Sequence, residues 1–162
     1  MQNTWSIRGR TPIIRHYHDR EKLNLIACID SLHDGTDANL LFYMQPTSVV
    51  SATIIDFLEA LHREVPGKIV VVWDGLSAHT SKVVKEHIEK CKDWLTVKRF
   101  PAYAPELNPV EYMFSALKRK DLGNLPAVSV DHIAAKLEEA VDRLAGNQAA
   151  MRGFLKASTL FD

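Results

Sequence analysis

Ile69-Val70-Val71-Val72-Trp73 runs without a break into Asp74-Gly75-Leu76-Ser77-Ala78-His79. Five consecutive apolar residues closed by an acid and a glycine predict a strand buried on both faces that delivers a carboxylate to its C-terminal end. In open α/β sheets that end is where ligands bind. Further on, Asn108-Pro109-Val110-Glu111 opens an amphipathic helix with proline at its first position and puts a second carboxylate in the first turn, with 36 residues between Asp74 and Glu111. The intervening length accommodates a helix, a strand and the proline-rich loop Phe100–Pro109. Two acids on two elements can then converge on one divalent cation.

Outward from this stretch the chain alternates strand and helix signals. Leu23–Ile29 and Asn39–Met44 are β-type runs joined by the turn cluster Asp34-Gly35-Thr36-Asp37. Val49, Ile54, Phe57, Leu58 and Leu61 recur at helical spacing between Ser48 and Glu64, and Pro66-Gly67 ends that element. Ser81–Cys91 reads as an amphipathic helix capped by Thr80 or Ser81, and Leu95–Phe100 as a short strand. Two later helices, over about 130–144 and 148–156, flank Gly146-Asn147 and carry no chemical cluster; residues 121–162 form a helical extension that serves packing or an interface.

Composition sets limits. The chain has 162 residues, 46% of them hydrophobic, which suits one domain with a real core. Lys+Arg and Asp+Glu both number 20, so contact with nucleic acid must come from local patches rather than from overall charge. Cys28 and Cys91 form no CxxC pair and read as free thiols in a reducing compartment. No apolar run reaches the ~18 residues of a membrane span and the N-terminus has no signal-peptide pattern, so a cytoplasmic protein is expected. Residues 1–22 are basic, with Arg8, Arg10, Arg15 and Arg20 among Trp5 and Tyr17. They read either as an arm on a DNA backbone or as a solvated extension.

The central stretch resembles the DDE superfamily of transposases and integrases, and within it the bacterial insertion-sequence transposases related to mariner elements. The residues that carry the resemblance are Trp73-Asp74-Gly75-Leu76-Ser77-Ala78-His79, the run Pro101-Ala102-Tyr103-Ala104-Pro105-Glu106-Leu107-Asn108-Pro109-Val110-Glu111, the helix end Leu117-Lys118-Arg119, and Thr4-Trp5-Ser6-Ile7-Arg8-Gly9-Arg10-Thr11-Pro12. It spans roughly residues 4–120. The resemblance implies an α/β, ribonuclease-H-like mixed sheet flanked by helices, in which Asp74 and Glu111 are the second and third catalytic acids. The family's first Asp lies on a strand ahead of the Trp segment, and only three residues precede Thr4, so the domain is expected to lack that strand. Asp30 and Asp34 are the nearest acids that could replace it.

The implied chemistry is phosphoryl transfer between DNA strands. Such transfer commonly uses two Mg²⁺ ions roughly 3.5–4 Å apart to activate the attacking oxygen and neutralise the leaving one. Oxygen ligands without His or Cys suit Mg²⁺ or Mn²⁺ better than zinc. Asp74 and Glu111 would be the metal ligands, and His79 would contact the scissile phosphate or orient Asp74. Lys98, Arg99, Lys118 and Arg119 would contact DNA at the element ends. The expected partners beyond DNA are a second copy or a complementing N-terminal transposase polypeptide. Each residue also has a plainer reading: Asp74 as a turn former with Gly75, Glu111 as half of a capping box with Asn108, and the basic residues as complements of a helix dipole. Two alternatives compete with the transposase reading. One is a non-catalytic ribonuclease-H-like remnant that binds nucleic acid or protein; the other is an unrelated nucleotide hydrolase, against which stands the absence of any phosphate-cradling glycine motif.

Without the first strand, two apolar strands lose a shared partner. Either residues Pro12–Tyr17 or a second chain is expected to pair in the gap between the Leu23–Ile29 strand and the Asp74 strand.

Overall fold

The computed structural model describes residues 22–123 and 129–160; the expectations for Thr4–Pro12 and Pro12–Tyr17 lie outside them. The elements are β1 (Asn24–Asp30), β2 (Asn39–Gln45), α1 (Ser51–Glu64), β3 (Ile69–Trp73), α2 (Lys82–Lys90), β4 (Leu95–Arg99), a 3₁₀ turn (Pro105–Leu107), α3 (Pro109–Lys120), α4 (Val130–Ala145) and α5 (Gln148–Ala157). This is a mixed α/β, ribonuclease-H-like architecture.

The strands form two sheets of two. β1 and β2 are an antiparallel hairpin in register from Asn24↔Gln45 to Asp30↔Asn39. Its turn is built by Asp34, whose Oδ1 accepts the Thr36 amide at 2.9 Å and the Thr36 hydroxyl at 2.6 Å, while Gly35 and Asp37 take positive φ. β3 and β4 are parallel, from Ile69↔Leu95 to Trp73↔Arg99, and α2 is their crossover. Among the described residues no ladder joins β1 to β3. The expected single mixed sheet is therefore two half-sheets.

Helix α1 bridges the halves on one face. Its Ile54 and Leu58 share a core with Val84 of α2 and Leu95 of β4, against which Ile26 of β1 and Val71 and Trp73 of β3 pack. On the other face α3, α4 and α5 cover only the hairpin: Met113, Leu117 and Ala140 pack with Ala27, Ile29 and Leu40, and Met151 and Leu155 enclose Ala38. Gln148 Nε2 donates to the Ala38 carbonyl at 2.7 Å.

The expectation that β3 is buried on both faces fails for this reason. Ile69, Val71 and Trp73 face the α1–α2 core, whereas Val70 and Val72, on the other face, are 65% and 41% exposed. The apolar run alone gave no sign of this, because it reports affinity for a covered face and not the presence of the cover.

Candidate metal and nucleic-acid site

Asp74 follows the last residue of β3, where the strand's ladder ends with the Phe100 amide donating to the Trp73 carbonyl at 2.9 Å. Its Oδ1 accepts the Leu76 amide at 3.0 Å, so the plain turn reading is realised in one oxygen. The same Oδ1 lies 3.0 Å from His79 Nδ1. That nitrogen is buried and has no partner of hydrogen-bond geometry, so the contact is electrostatic proximity and not a formed hydrogen bond. His79 is fixed by stacking: its ring lies 4.4 Å from that of Trp73 at an interplanar angle of 5°. The Asp74 side chain is 57% exposed and that of His79 15%. Among the described residues, Oδ2 of Asp74 has no hydrogen-bond partner and points to no competing cation.

Glu111 is placed by the start of α3. Asn108 caps this helix, its Oδ1 accepting the Val110 amide at 3.1 Å, and Pro109 sits buried at the first helical position. A capping box would need the Glu111 carboxylate to return to the Asn108 amide, and among the described residues it makes no such bond. Glu111 is exposed and, among the described residues, free of Lys or Arg partners.

A cavity of about 650 Å³ runs between β1 and β3, and Asp74, His79 and Glu111 all line it, as does Asp30 at the end of β1. Asp34 is absent from its lining. The rest of the wall is largely apolar, including Leu25, Leu58 and Val71. Among the described residues, no three His, Cys, Asp or Glu side chains are grouped closely enough to hold a metal ion. The acids thus share a cavity without forming a finished cage.

The four basic residues do not make one patch. Strand alternation puts Arg99 on the face of Trp73 and Lys98 on the opposite face with Val72, the residue it pairs in register. Arg99 lines a second cleft with His79. Lys118 and Arg119 lie roughly 12 Å along α3 from the Glu111 turn, where the Arg119 Nε donates to the Ser115 carbonyl at 3.3 Å. Trp73 both packs on the α1–α2 core and stacks on His79, a contact that the spacing of the two residues along the chain does not encode.

A carboxylate-bearing strand end and a helix N-terminus thus line one cavity and give the domain an acidic edge. Similar solved structures are the Mos1 transposase paired-end complex with left transposon end (TM-score 0.67, 18% identity, covering 97% of this chain and 47% of that one), the catalytic domain of Mos1 mariner transposase (0.63, 17%, 85% and 74%), and the Mos1 catalytic domain with raltegravir and Mn (0.62, 17%, 85% and 75%). The chain spans about half the length of the first of these. Residues 1–133 match the DDE superfamily endonuclease family, and the chain belongs to it. No curated protein matches it by sequence. Among the described residues, no helix is long and apolar enough to cross a membrane.

Proposed function

We propose that this chain is the catalytic-domain portion of a bacterial insertion-sequence transposase related to mariner elements, acting in metal-dependent cleavage and transfer of DNA strands at element ends. The observation that carries this reading is that Asp74 and Glu111, from two different elements, line one cavity in a chain of the DDE endonuclease family. Exposed carboxylates are the donors that Mg²⁺ and Mn²⁺ take, and they would hold the cation here. Bound there, it would supply Lewis-acid stabilisation of the phosphoryl oxygens.

The chain's own residues supply the positioning. The Leu76 amide fixes Oδ1 of Asp74 and leaves Oδ2 for a ligand. The Asn108 cap and Pro109 fix the turn that carries Glu111. His79, held against Trp73, orients Asp74. Lys98, Arg99, Lys118 and Arg119 are the proposed DNA-backbone contacts, reached by different segments of the duplex. This reading places the protein in the cytoplasm at the nucleoid.

Among the described residues the donor set is short, and no β-ladder joins the halves that carry it. Asp74 belongs to the β3–β4 half, while Glu111 rides on α3, which packs on the β1–β2 half. We therefore include a complementing strand in the proposal, supplied by an N-terminal transposase polypeptide or a second copy. Among the described residues, the facing β1 and β3 edges have unpaired backbone and an apolar groove between them, which suits strand addition. The same shortage favours the second reading, a non-catalytic binding remnant.

One experiment separates these. The chain alone, with Mg²⁺ or Mn²⁺ and an end-bearing duplex, should cleave negligibly, since two acids on halves that share no β-ladder do not hold the in-line geometry. Adding a polypeptide that contains an apolar strand ending in Asp should restore cleavage, and Asp74→Ala should abolish it. Robust cleavage by the chain alone would refute partner dependence. No cleavage with any such polypeptide would leave the binding remnant as the function.

A further inference from the structure

The cleft on the far side of Trp73 and His79 from the acids has a cationic composition that the metal site does not use. It measures about 530 Å³ and is lined by Gly75, Thr80, Lys85, Glu89 and Arg99, with Val97 in its floor. Lys82, Lys92, Lys136 and Arg143 each sit in an ion pair, but among the described residues Lys85 and Arg99 do not. Glu89 is the cleft's acid, and its Oε1 is already taken by Lys92 Nζ at 3.0 Å.

Gly75 gives the second, independent observation. Its φ is not in the left-handed region, unlike those of Gly35 and Gly67, so the turn itself does not demand glycine. Space does. A Cβ on residue 75 would collide with Nη2 of Arg99 and lie 3.5 Å from its Cζ. The missing side chain lets the guanidinium lie against the backbone just after Asp74, in the wall of the cleft.

The geometry points to a phosphodiester-binding subsite in which Arg99 and Lys85 hold one backbone phosphate of a DNA strand, with the Arg99 guanidinium lying against Gly75. A planar guanidinium gives a phosphate two parallel donors, and the ammonium adds a point charge. Because Gly75 follows Asp74 directly, a phosphate held there would lie a short reach from the acids. This deepens the proposed transposase function and rests on DNA being the substrate, but it is tested by binding alone.

Anisotropy of a labelled 20-base-pair duplex, titrated in EDTA over a series of salt concentrations, reads how many phosphates the protein neutralises. Arg99→Gln and Lys85→Ala should each weaken binding and reduce the slope of log K against log salt by about 0.9 for each phosphate no longer neutralised. Gly75→Ala, which displaces only the tip of Arg99, should weaken binding less than Arg99→Gln, and Lys136→Ala, on α4, should leave the slope unchanged. Pyrophosphate should compete weakly with the duplex; if it displaces duplex fully at micromolar levels, the cleft is a small-anion site and the DNA assignment fails. A slope unaltered in both cation variants, or absence of duplex binding by the parent chain, overturns the proposal. Since no metal or cleavage is involved, a failure of the catalytic reading leaves this result intact, and the reverse holds too.

Discussion

The two half-sheets differ in how they are held. The β1–β2 hairpin is covered on one face by α3, α4 and α5 through Ala27, Ile29 and Leu40 and is touched on the other by α1 at Ile26, beside which Tyr43 stays half exposed. The β3–β4 pair is covered on one, with Val70 and Val72 open to solvent. Yet the less covered half carries Asp74, His79 and Arg99, while Glu111 comes with the better covered one. The site is thus assembled across a seam, and its geometry depends on what ties the halves together. Among the described residues the apolar tie is α1.

The largest expected effect follows from that tie. Leu58 is 2% exposed, lies in the core shared by Ile26 of β1 and Val71 and Trp73 of β3 and borders the cavity, so Leu58→Ala removes much of the packing that α1 supplies there beside Ile54. Such truncations cost about 2–5 kcal/mol. Denaturant unfolding followed by fluorescence of Trp73 and Trp94, both in the β3–β4 half, should lose its coincidence with unfolding followed by far-UV circular dichroism. If both probes still report one transition with an unchanged midpoint, the halves are joined by something other than α1.

A smaller effect tests the cover of β3–β4 itself. Ser81 caps α2, its Oγ accepting the Val84 amide at 3.3 Å, and it also accepts the Ser51 hydroxyl of α1 at 2.8 Å. Ser81→Ala should cost about 1 kcal/mol, the usual value of an N-cap. The loss should appear as faster amide exchange in α2 and β4 with little change in β1–β2. Uniform acceleration across both sheets would mean the seam is not a boundary.

Much of this was readable from residues. The strand from Ile69 to Trp73 has the bounds its apolar run predicts, and helix α3 begins at the proline after Asn108 because cap and proline are local signals. The choice between Thr80 and Ser81 as the α2 cap went to Ser81, and α1 starts at Ser51, three residues later than the spacing suggested, because Val50 is still extended. What pattern could not supply was assembly. Periodicity states that a strand has an apolar face and says nothing about which neighbour fills it, so the unjoined β1 and β3 and the bare side of Val70 and Val72 were invisible to it. In the site, Asp74, His79 and Glu111 line one cavity, while the basic residues read as a patch are divided by strand alternation and by the length of α3. The stacking of Trp73 on His79 and the space Gly75 gives Arg99 arise from contacts between elements, which spacing along a chain does not encode.

The smallest effect concerns Cys28, a reporter placed in the wall of the seam. Burial, with a minor contribution from the Asp30 carboxylate, pushes its thiol up to about 12. Cys91, at the C-terminal end of α2, is raised as well, mainly by desolvation. A thiol in the unfolded chain ionises near 8.5, so between that pH and about 12 the unfolded state releases a proton that the folded state retains. Cys28 therefore contributes stability that is fully present below about pH 8.5 and is lost as pH rises toward 12. At pH 9 the loss is about 0.8 kcal/mol, by the same linkage. Alkylation gives the more sensitive measurement, since only the thiolate reacts. At pH 8.5 iodoacetamide should modify Cys28 far more slowly than the same residue in urea, and a strand seated between β1 and β3 should slow it further by closing the cavity. Rapid labelling of Cys28 in the native chain would mean that the hairpin wall of the seam is as open as the exposed side of β3, and the contrast between the two halves would disappear.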